Sequence, residues 1–566
     1  MEFLEFPSGK RDGLVVWKEI VQMERCRLIL EQLDKDLCKI RPAQYEIGKK
    51  ETVMLPMRDG KKLFTRLIFP KGIERGIVTF QRSCYAFQIP IFEWMACRMA
   101  ERGFISGYQL CRGIGKSEGE WVPFEHERND GIDTMKWLQK QNFVSAIGLY
   151  GLSYGGYTQW LIADCVPDKV KTMVIAQAGV DRYHSLYCNG CFRHDIYTGW
   201  AIENAGVDIT ESYPECCMIR PFTDMDMRLF HKRLPWFQEW ITNTNETDSY
   251  WQHGIWANLR KNISKINKPL CLIGGWYDHH LDGMYYAWEH LDKTVKAKSC
   301  FLIGPWNHGL QKCVDAYPVL NTEHGGCFAF NEAFMWLDAF FGEKESLKPG
   351  VIGYLIGQDR WIAEEEILSR TTKKIYLKND GRAKFIHNPD KPIIANGAES
   401  MLYAPSSLRG SRMQKKEEND FRIISLYSEP FKKVMNIDGV LRLKVKVKSE
   451  AEDTAVIVKL MEEFSDGRAY NIRNNASTIA YRNQAKQRRD DYIPGEWMTL
   501  VFNMWPVMWS IQKGSRIRID IQSSHFPEYH VHTNTRGDWA FQKEVKIIWN
   551  EVDEKNCALE IPAIYI

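Results

Sequence analysis

The sequence predicts a mixed α/β fold, a mostly parallel sheet covered by helices, joined to an all-β domain. Three observations carry that expectation. Short apolar runs alternate with helical patterns between about residues 50 and 310. Residues 181–262 interrupt the rhythm, and beyond about 350 the hydrophobic period becomes two.

The runs at 76–80, 104–110, 146–150, 172–176, 270–273 and 300–303 read as buried strands. Helical stretches lie between them, as where Ile132, Met135 and Leu138 recur at three-residue intervals. Buried strands alternating with helices imply a parallel sheet covered on both faces. The interruption is rich in aromatic, charged and Cys residues. It is expected to form a helical cap over the carboxyl edge of the sheet, where open α/β sheets bind ligands. Farther on, Leu441, Leu443, Val445 and Val447 alternate with Arg442, Lys444, Lys446 and Lys448. Ile517, Ile519 and Ile521 alternate with Arg516, Arg518 and Asp520 in the same way. Half-buried strands of this kind predict a β-sandwich or jelly roll. Apolar residues from Leu14 to Leu37 recur at helical spacing and predict one or two amphipathic helices. The expected division is an N-terminal helical extension (1–45), an α/β core (46–180 and 263–345), a helical cap (181–262) and a jelly-roll domain (350–566). With no low-complexity linker between them, these parts are expected to pack together, and a homodimer partner is the second place where the first helices could bury their stripe.

Composition removes several function classes. Lys plus Arg (75) nearly cancels Asp plus Glu (72), which gives no electrostatic reason to expect nucleic acid or an anionic membrane as partner. No run approaches the ~18 apolar residues of a membrane span. Met1-Glu2-Phe3-Leu4-Glu5 lacks the basic and then apolar segments of a signal peptide. The 15 Cys are odd in number and scattered, with a vicinal Cys216-Cys217 pair, and read as reduced thiols in a cytoplasm. Cys188 and Cys191 form a C-x-x-C with no second pair at zinc-site spacing, so the pair reads as a loop rather than a metal site.

The strongest local signal is Gly151-Leu152-Ser153-Tyr154-Gly155. As a bare G-x-S-x-G pattern it is weak. Its setting makes it specific, because a buried strand precedes it and a helical stretch follows, as a nucleophile elbow requires. A serine hydroxyl needs a base and a group to orient that base. In α/β-hydrolases the order along the chain is Ser, acid, His. Downstream, the strand near 270 ends in Gly275-Trp276-Tyr277-Asp278 and the strand near 300 ends in Gly304-Pro305-Trp306-Asn307-His308. Both polar groups follow consecutive strands at the ligand-binding edge, so the sequence predicts a Ser153, Asp278, His308 triad on an α/β-hydrolase core. Of the two oxyanion donors, the Tyr154 N–H supplies one. The loop Gln81-Arg82-Ser83-Cys84-Tyr85 has no His-Gly-Gly-Gly pattern, and residue types leave open whether the Tyr85 hydroxyl serves or simply packs.

These motifs together resemble the cocaine-esterase-like (CocE/NonD) serine hydrolases and the related X-prolyl dipeptidyl-peptidases. The resemblance extends through Met57-Arg58-Asp59-Gly60, Arg112 to Gly119, Asp466 to Asn471, Lys513 to Ile519 and Ser523 to Pro527. It implies a helical cap, a C-terminal jelly roll, and an oxyanion hole made by Tyr85 and the Tyr154 amide. Two departures stand out. Leu110 occupies a position where the family often has Asp, and residues 1–45 have no recognised counterpart.

The family divides by substrate into small carboxylic esters, α-amino-acid esters and β-lactam acyl groups, and X-Pro peptides. Small-molecule esters, with amides as an extension, are the first expectation and an X-Pro dipeptidyl-peptidase the alternative; an inert carbohydrate-binding protein is the remote third. An α-ammonium anchor would need a carboxylate, with Asp282, Glu203 and Glu323 as candidates that could equally be surface or cap residues. Phe87, Trp276 and Trp306 are expected to line the substrate pocket. No cofactor and no metal are expected, since acyl transfer through serine needs neither.

Overall fold

The computed structural model describes residues 40–320, 330–342, 348–379, 381–399, 403, 406–415 and 420–566, together with Arg27, Leu30 and Glu31. Most of the expected N-terminal helices, and Glu323, lie outside the described residues.

Twelve strands open the described chain: β1 (Ile47–Pro56), β2 (Lys62–Pro70), β3 (Gly76–Ser83), β4 (Ile105–Leu110), β5 (Val144–Leu152), β6 (Val170–Ala176), β7 (Tyr187–Cys188), β8 (Cys191–Phe192), β9 (Leu270–Tyr277), β10 (Cys300–Asn307), β11 (Gly350–Leu355) and β12 (Arg360–Ala363). All but the β7–β8 hairpin form one ten-stranded sheet in the order β1-β2-β4-β3-β5-β6-β9-β10-β11-β12. Pairing is parallel from β4 through β11 and antiparallel at both ends. Strands β9 and β10 are buried along their whole length, as continuous apolar runs require when both faces are covered. Helix Glu127–Lys140 shows how the cover forms. Gly131, Thr134, Met135 and Leu138 give it one buried stripe, while Asp130 in its first turn and Lys140 in its last complement the helix dipole.

The segment after β6 holds the β7–β8 hairpin and seven helices between Arg182 and Asn262. The first, Arg182–Leu186, starts where the Asp181 side chain accepts the His184 N–H at 3.2 Å. Arg182 itself is buried among aromatic rings, with its guanidinium carbon 4.2 Å from the Trp240 ring centroid and 4.4 Å from that of Tyr197.

Past residue 350 the expected boundary shifts. β11 pairs parallel with β10 and β12 pairs back on β11, so residues 350–363 complete the α/β sheet before the β domain begins. That domain comprises an eight-stranded and a six-stranded sheet with antiparallel pairing. Strand Arg442–Ser449 has the predicted alternation, with Leu443, Val445 and Val447 inside. Strand Arg516–Gln522 does not, because Arg518 and Asp520 on its polar face are also buried and pair at 2.8 Å. It runs between Ile424–Tyr427 and Ala455–Glu463, and its neighbours are buried on both faces. The six-stranded sheet meets the rest of the chain directly: the Thr478 N–H donates to the Asn189 carbonyl (3.0 Å) and the Tyr277 hydroxyl to the Ile472 carbonyl (3.4 Å). Leu110 packs among Ile68, Phe92 and Tyr108. The neighbouring Arg112 pairs with Asp59 (2.6 Å) and Asp130 (2.7 Å), so the two motifs at 57–60 and 112–119 meet in space.

Burial opposes a charge on His184, yet the Asp181 carboxylate 2.9 Å away outweighs it and holds the imidazole at about 9. The folded value lies above the ordinary 6.5, so the pair's contribution is whole below about 6.5 and fades as pH rises through about 9. The difference in Tm between the parent chain and His184→Gln is therefore expected to shrink from pH 7 to pH 10, which differential scanning fluorimetry would register.

Candidate active site

Ser153 stands between β5 and helix Tyr154–Trp160 with φ 57° and ψ −119°. A non-glycine residue there costs on the order of 1–3 kcal/mol and persists only where its surroundings impose it. Its N–H donates to the Ala176 carbonyl of β6 at 2.9 Å, and its carbonyl accepts the Gly156 and Tyr157 N–H groups. Gly151 is required by contact: a Cβ there would lie 2.5 Å from the Gly155 carbonyl oxygen. The turn thus lifts the Ser153 side chain off the carboxyl edge of the sheet.

His308 follows β10 and Asp278 follows β9 at the same edge. His308 Nε2 is 3.0 Å from Ser153 Oγ and its Nδ1 is 3.2 Å from Asp278 Oδ1. A carboxylate only accepts, so the proton sits on Nδ1 and the Nε2 lone pair faces the serine. Asp278 is fully buried; its Oδ1 also accepts the His280 N–H at 3.0 Å, while Oδ2 has no hydrogen-bond partner among the described residues. His279 and His280 pack beside it. Burial, then the neighbouring imidazoles and Arg182, push both far below the usual histidine range, so both are neutral.

A residue not singled out in the sequence fixes the His308 loop. Gln177, fully buried at the end of β6 with φ 45°, donates to the Asn307 carbonyl (2.6 Å) and accepts the Gly309 N–H (2.6 Å). It clasps the chain on both sides of His308. Gly275 leaves room for this arrangement, since a Cβ would lie 2.4 Å from the Trp306 carbonyl oxygen.

Tyr154 opens its helix, so its N–H has no acceptor within the helix. Its side chain turns into the core, where the hydroxyl donates to Glu127 (3.0 Å). Burial pushes the Tyr85 phenol far above its ordinary value, and the Ser153 side chain is near enough to act weakly against that shift. Trp200 of the cap donates its indole N–H to the Tyr85 oxygen at 3.3 Å. Indole is a donor only, so the phenol accepts there and keeps its own proton for another acceptor.

The expected pocket residues divide. Phe87 is half-buried, 5.8 Å from the Tyr85 ring, beside the site. Trp276 and Trp306 are instead core residues. Trp276 is fully buried and donates to the Tyr354 carbonyl of β11 (2.8 Å), and Trp306 is 1% exposed against Trp361. Strands β9 and β10 are covered on both faces, so neither ring is left facing a pocket. Trp200, with Trp121 and Trp236 packed on it, forms an aromatic wall from the cap. Of the candidate carboxylates, Glu203 lies one turn after Trp200, near enough to Tyr85 to add to its upward shift. Asp282 belongs with His184 and Asp181, and burial pushes it up to about 6.

Gln177→Leu keeps the volume and removes both ends of the clasp. It is expected to lower kcat by about tenfold or more with a smaller change in KM, since small displacements of a catalytic group carry costs up to ~100-fold. Steady-state kinetics alongside a thermal melt would check it.

Comparison with known proteins places relatives beside this chain. The X-Pro dipeptidyl-peptidase (S15 family) model matches residues 49–310, and the model of the X-Pro dipeptidyl-peptidase C-terminal non-catalytic domain matches residues 345–545. The chain is 22% identical over 542 residues to the cocaine esterase of Rhodococcus sp. (strain MB1 Bresler), covering 86% of this chain and 92% of that protein. Its fold is similar to that of an aminopeptidase from a marine sediment Thaumarchaeota archaeon (TM-score 0.77, 18% identity, 92% of this chain and 97% of the other). It is equally similar to an α-amino acid ester hydrolase (TM-score 0.76, 18% identity, 91% and 96%). With an α/β core, a C-terminal domain of antiparallel sheets and both family models in register, the chain belongs to the CocE/NonD serine hydrolases, relatives of the X-Pro dipeptidyl-peptidases.

Proposed function

We propose that the chain hydrolyses small carboxylic esters, with amides as an extension, through an acyl-enzyme on Ser153. The observation that carries this is the unbroken contact from Ser153 Oγ to His308 Nε2 (3.0 Å) and from His308 Nδ1 to Asp278 (3.2 Å). Ser153 Oγ attacks the carbonyl carbon as His308 takes its proton, and Asp278 stabilises the imidazolium. The negative oxygen of the tetrahedral intermediate is received by the Tyr154 N–H and the Tyr85 O–H. His308 returns the proton to the leaving alcohol, then activates water, which releases the acid and restores Ser153. Phe87 and the Trp200 wall supply apolar surface for a bulky acyl or alcohol group. The abundance of thiols, with no disulfide among the described cysteines, supports a reducing, cytoplasmic setting.

Glu203 favours a second substrate class, acyl groups bearing a free α-ammonium, including X-Pro peptides. Its carboxylate is near enough to Tyr85 to raise the phenol's pKa, so an ammonium group bound beside Tyr85 would find a counter-charge there. Tyr403 donates to it, which fixes its direction.

Hydrolysis of p-nitrophenyl butyrate and glycyl-prolyl-p-nitroanilide, measured side by side, separates the two. Ester turnover alone is the expected result. Anilide turnover that is lost on N-acetylation and on Glu203→Gln would establish the second class instead. Ser153→Ala is expected to lower kcat by about 10⁴-fold or more. Tyr85→Phe should cost about 10²–10³-fold in kcat, the usual loss for one oxyanion donor. Retention of near-normal ester turnover by Ser153→Ala would refute the mechanism.

A further inference from the structure

The two residues that follow Asp278 in the chain have no part in acyl transfer, yet they stand against its base. His279, His280 and His308 each offer one ring nitrogen, and the three nitrogens lie within 4.8 Å of one another. The ring centroids are 3.9 Å apart for His279 and His280, 4.7 Å for His279 and His308, and 5.6 Å for His280 and His308. All three are buried, at 2%, 3% and 8% exposure. Beside them Asp278 Oδ2 is buried without a hydrogen-bond partner among the described residues, on the carboxylate whose other oxygen already lies 3.4 Å from His279 Nδ1. Three imidazoles, with a water in the fourth position, form the donor set of a tetrahedral zinc site.

The geometry points to an inhibitory site for a divalent transition-metal ion, formed by His279, His280 and His308. Zn²⁺ bound at about 2.0–2.1 Å to tetrahedral ligands holds its donor atoms about 3.3 Å apart, so modest ring rotations close the site. Imidazole donors select Zn²⁺, Cu²⁺ or Ni²⁺ over Mg²⁺ and Ca²⁺, which prefer oxygen. The consequence for hydrolysis does not depend on which His308 nitrogen binds. Nε2 on the metal removes the base from Ser153, and Nδ1 on the metal breaks its bond to Asp278. An imidazole engaged in this way cannot accept the serine proton, and a chelator restores it.

The metal-binding part stands by itself, whereas the inhibition rests on the proposed role of His308. Two measurements keep them separate. Zn²⁺ is titrated by calorimetry into the full chain, into Ser153→Ala, and into His279→Gln and His280→Gln. The Co²⁺ absorption spectrum of the unaltered chain reports the ligand type without any variant. One saturable Zn²⁺ per chain is expected, kept in Ser153→Ala and weakened about tenfold or more by each histidine substitution. The Co²⁺ spectrum should be tetrahedral without a thiolate charge-transfer band, and ester hydrolysis should fall with the same half-saturation and recover with chelator. Absence of saturable binding, a thiolate band, or equal affinity in the histidine variants would overturn the site. Zn²⁺ binding that leaves a Ser153-dependent hydrolysis untouched would overturn its inhibitory role.

Discussion

One carboxylate oxygen, Oδ1 of Asp278, organises the catalytic edge of the sheet. It lies 3.2 Å from His308 Nδ1, accepts the His280 N–H and approaches His279, while its partner oxygen accepts nothing among the described residues. A fully buried charge is tolerated only where hydrogen bonds answer it, and here they converge on a single atom. That convergence fixes the His308 tautomer and aims Nε2 at Ser153. The other features of the site serve to deliver three strand ends to this point. β5 brings a strained serine, β9 the carboxylate and β10 the imidazole. Gln177 at the end of β6 ties the last of these to the neighbouring strand.

Distances of this kind require a rigid support, and much of it comes from outside the α/β core. Tyr277, next to Asp278, donates to the Ile472 carbonyl, and the buried Arg473 guanidinium lies 5.2 Å from its ring centroid. One residue earlier in the chain, Trp276 is anchored on β11 through its indole N–H. The strand end carrying the acid is therefore held by the C-terminal domain and by the late strand pair β11–β12 together. The cap contributes Trp200, whose indole N–H donates to the Tyr85 hydroxyl. The polar face of Arg516–Gln522 is likewise buried rather than wet, and Arg518 and Asp520 pair with each other there.

Features set by local chemistry were legible in the sequence. The strand–turn–helix around Ser153, the two strand ends carrying Asp278 and His308, and the alternation at 442–449 follow from neighbouring residues alone. What was not legible depends on contacts distant in the chain. Nothing local marks Gln177, because its partners lie about 130 residues away. Trp276 and Trp306 were expected at the pocket because they flank the triad, but strands buried on both faces give alternation no means of choosing a side. Strands β11 and β12 are short, and membership of the parallel sheet shows only in their pairing with β10. Asp282 and Glu203 looked equivalent as carboxylates; the helix that carries each decides that one faces His184 and the other Tyr85.

In the proposed mechanism Ser153 is a nucleophile activated through His308. Intact-protein and peptide mass spectrometry after brief treatment with a p-nitrophenyl alkylphosphonate tests it most directly. One covalent phosphonyl group per chain is expected, located on the peptide containing Ser153 and lost in His308→Gln. A phosphonyl group on another residue, or undiminished labelling of Ser153 without His308, would contradict it.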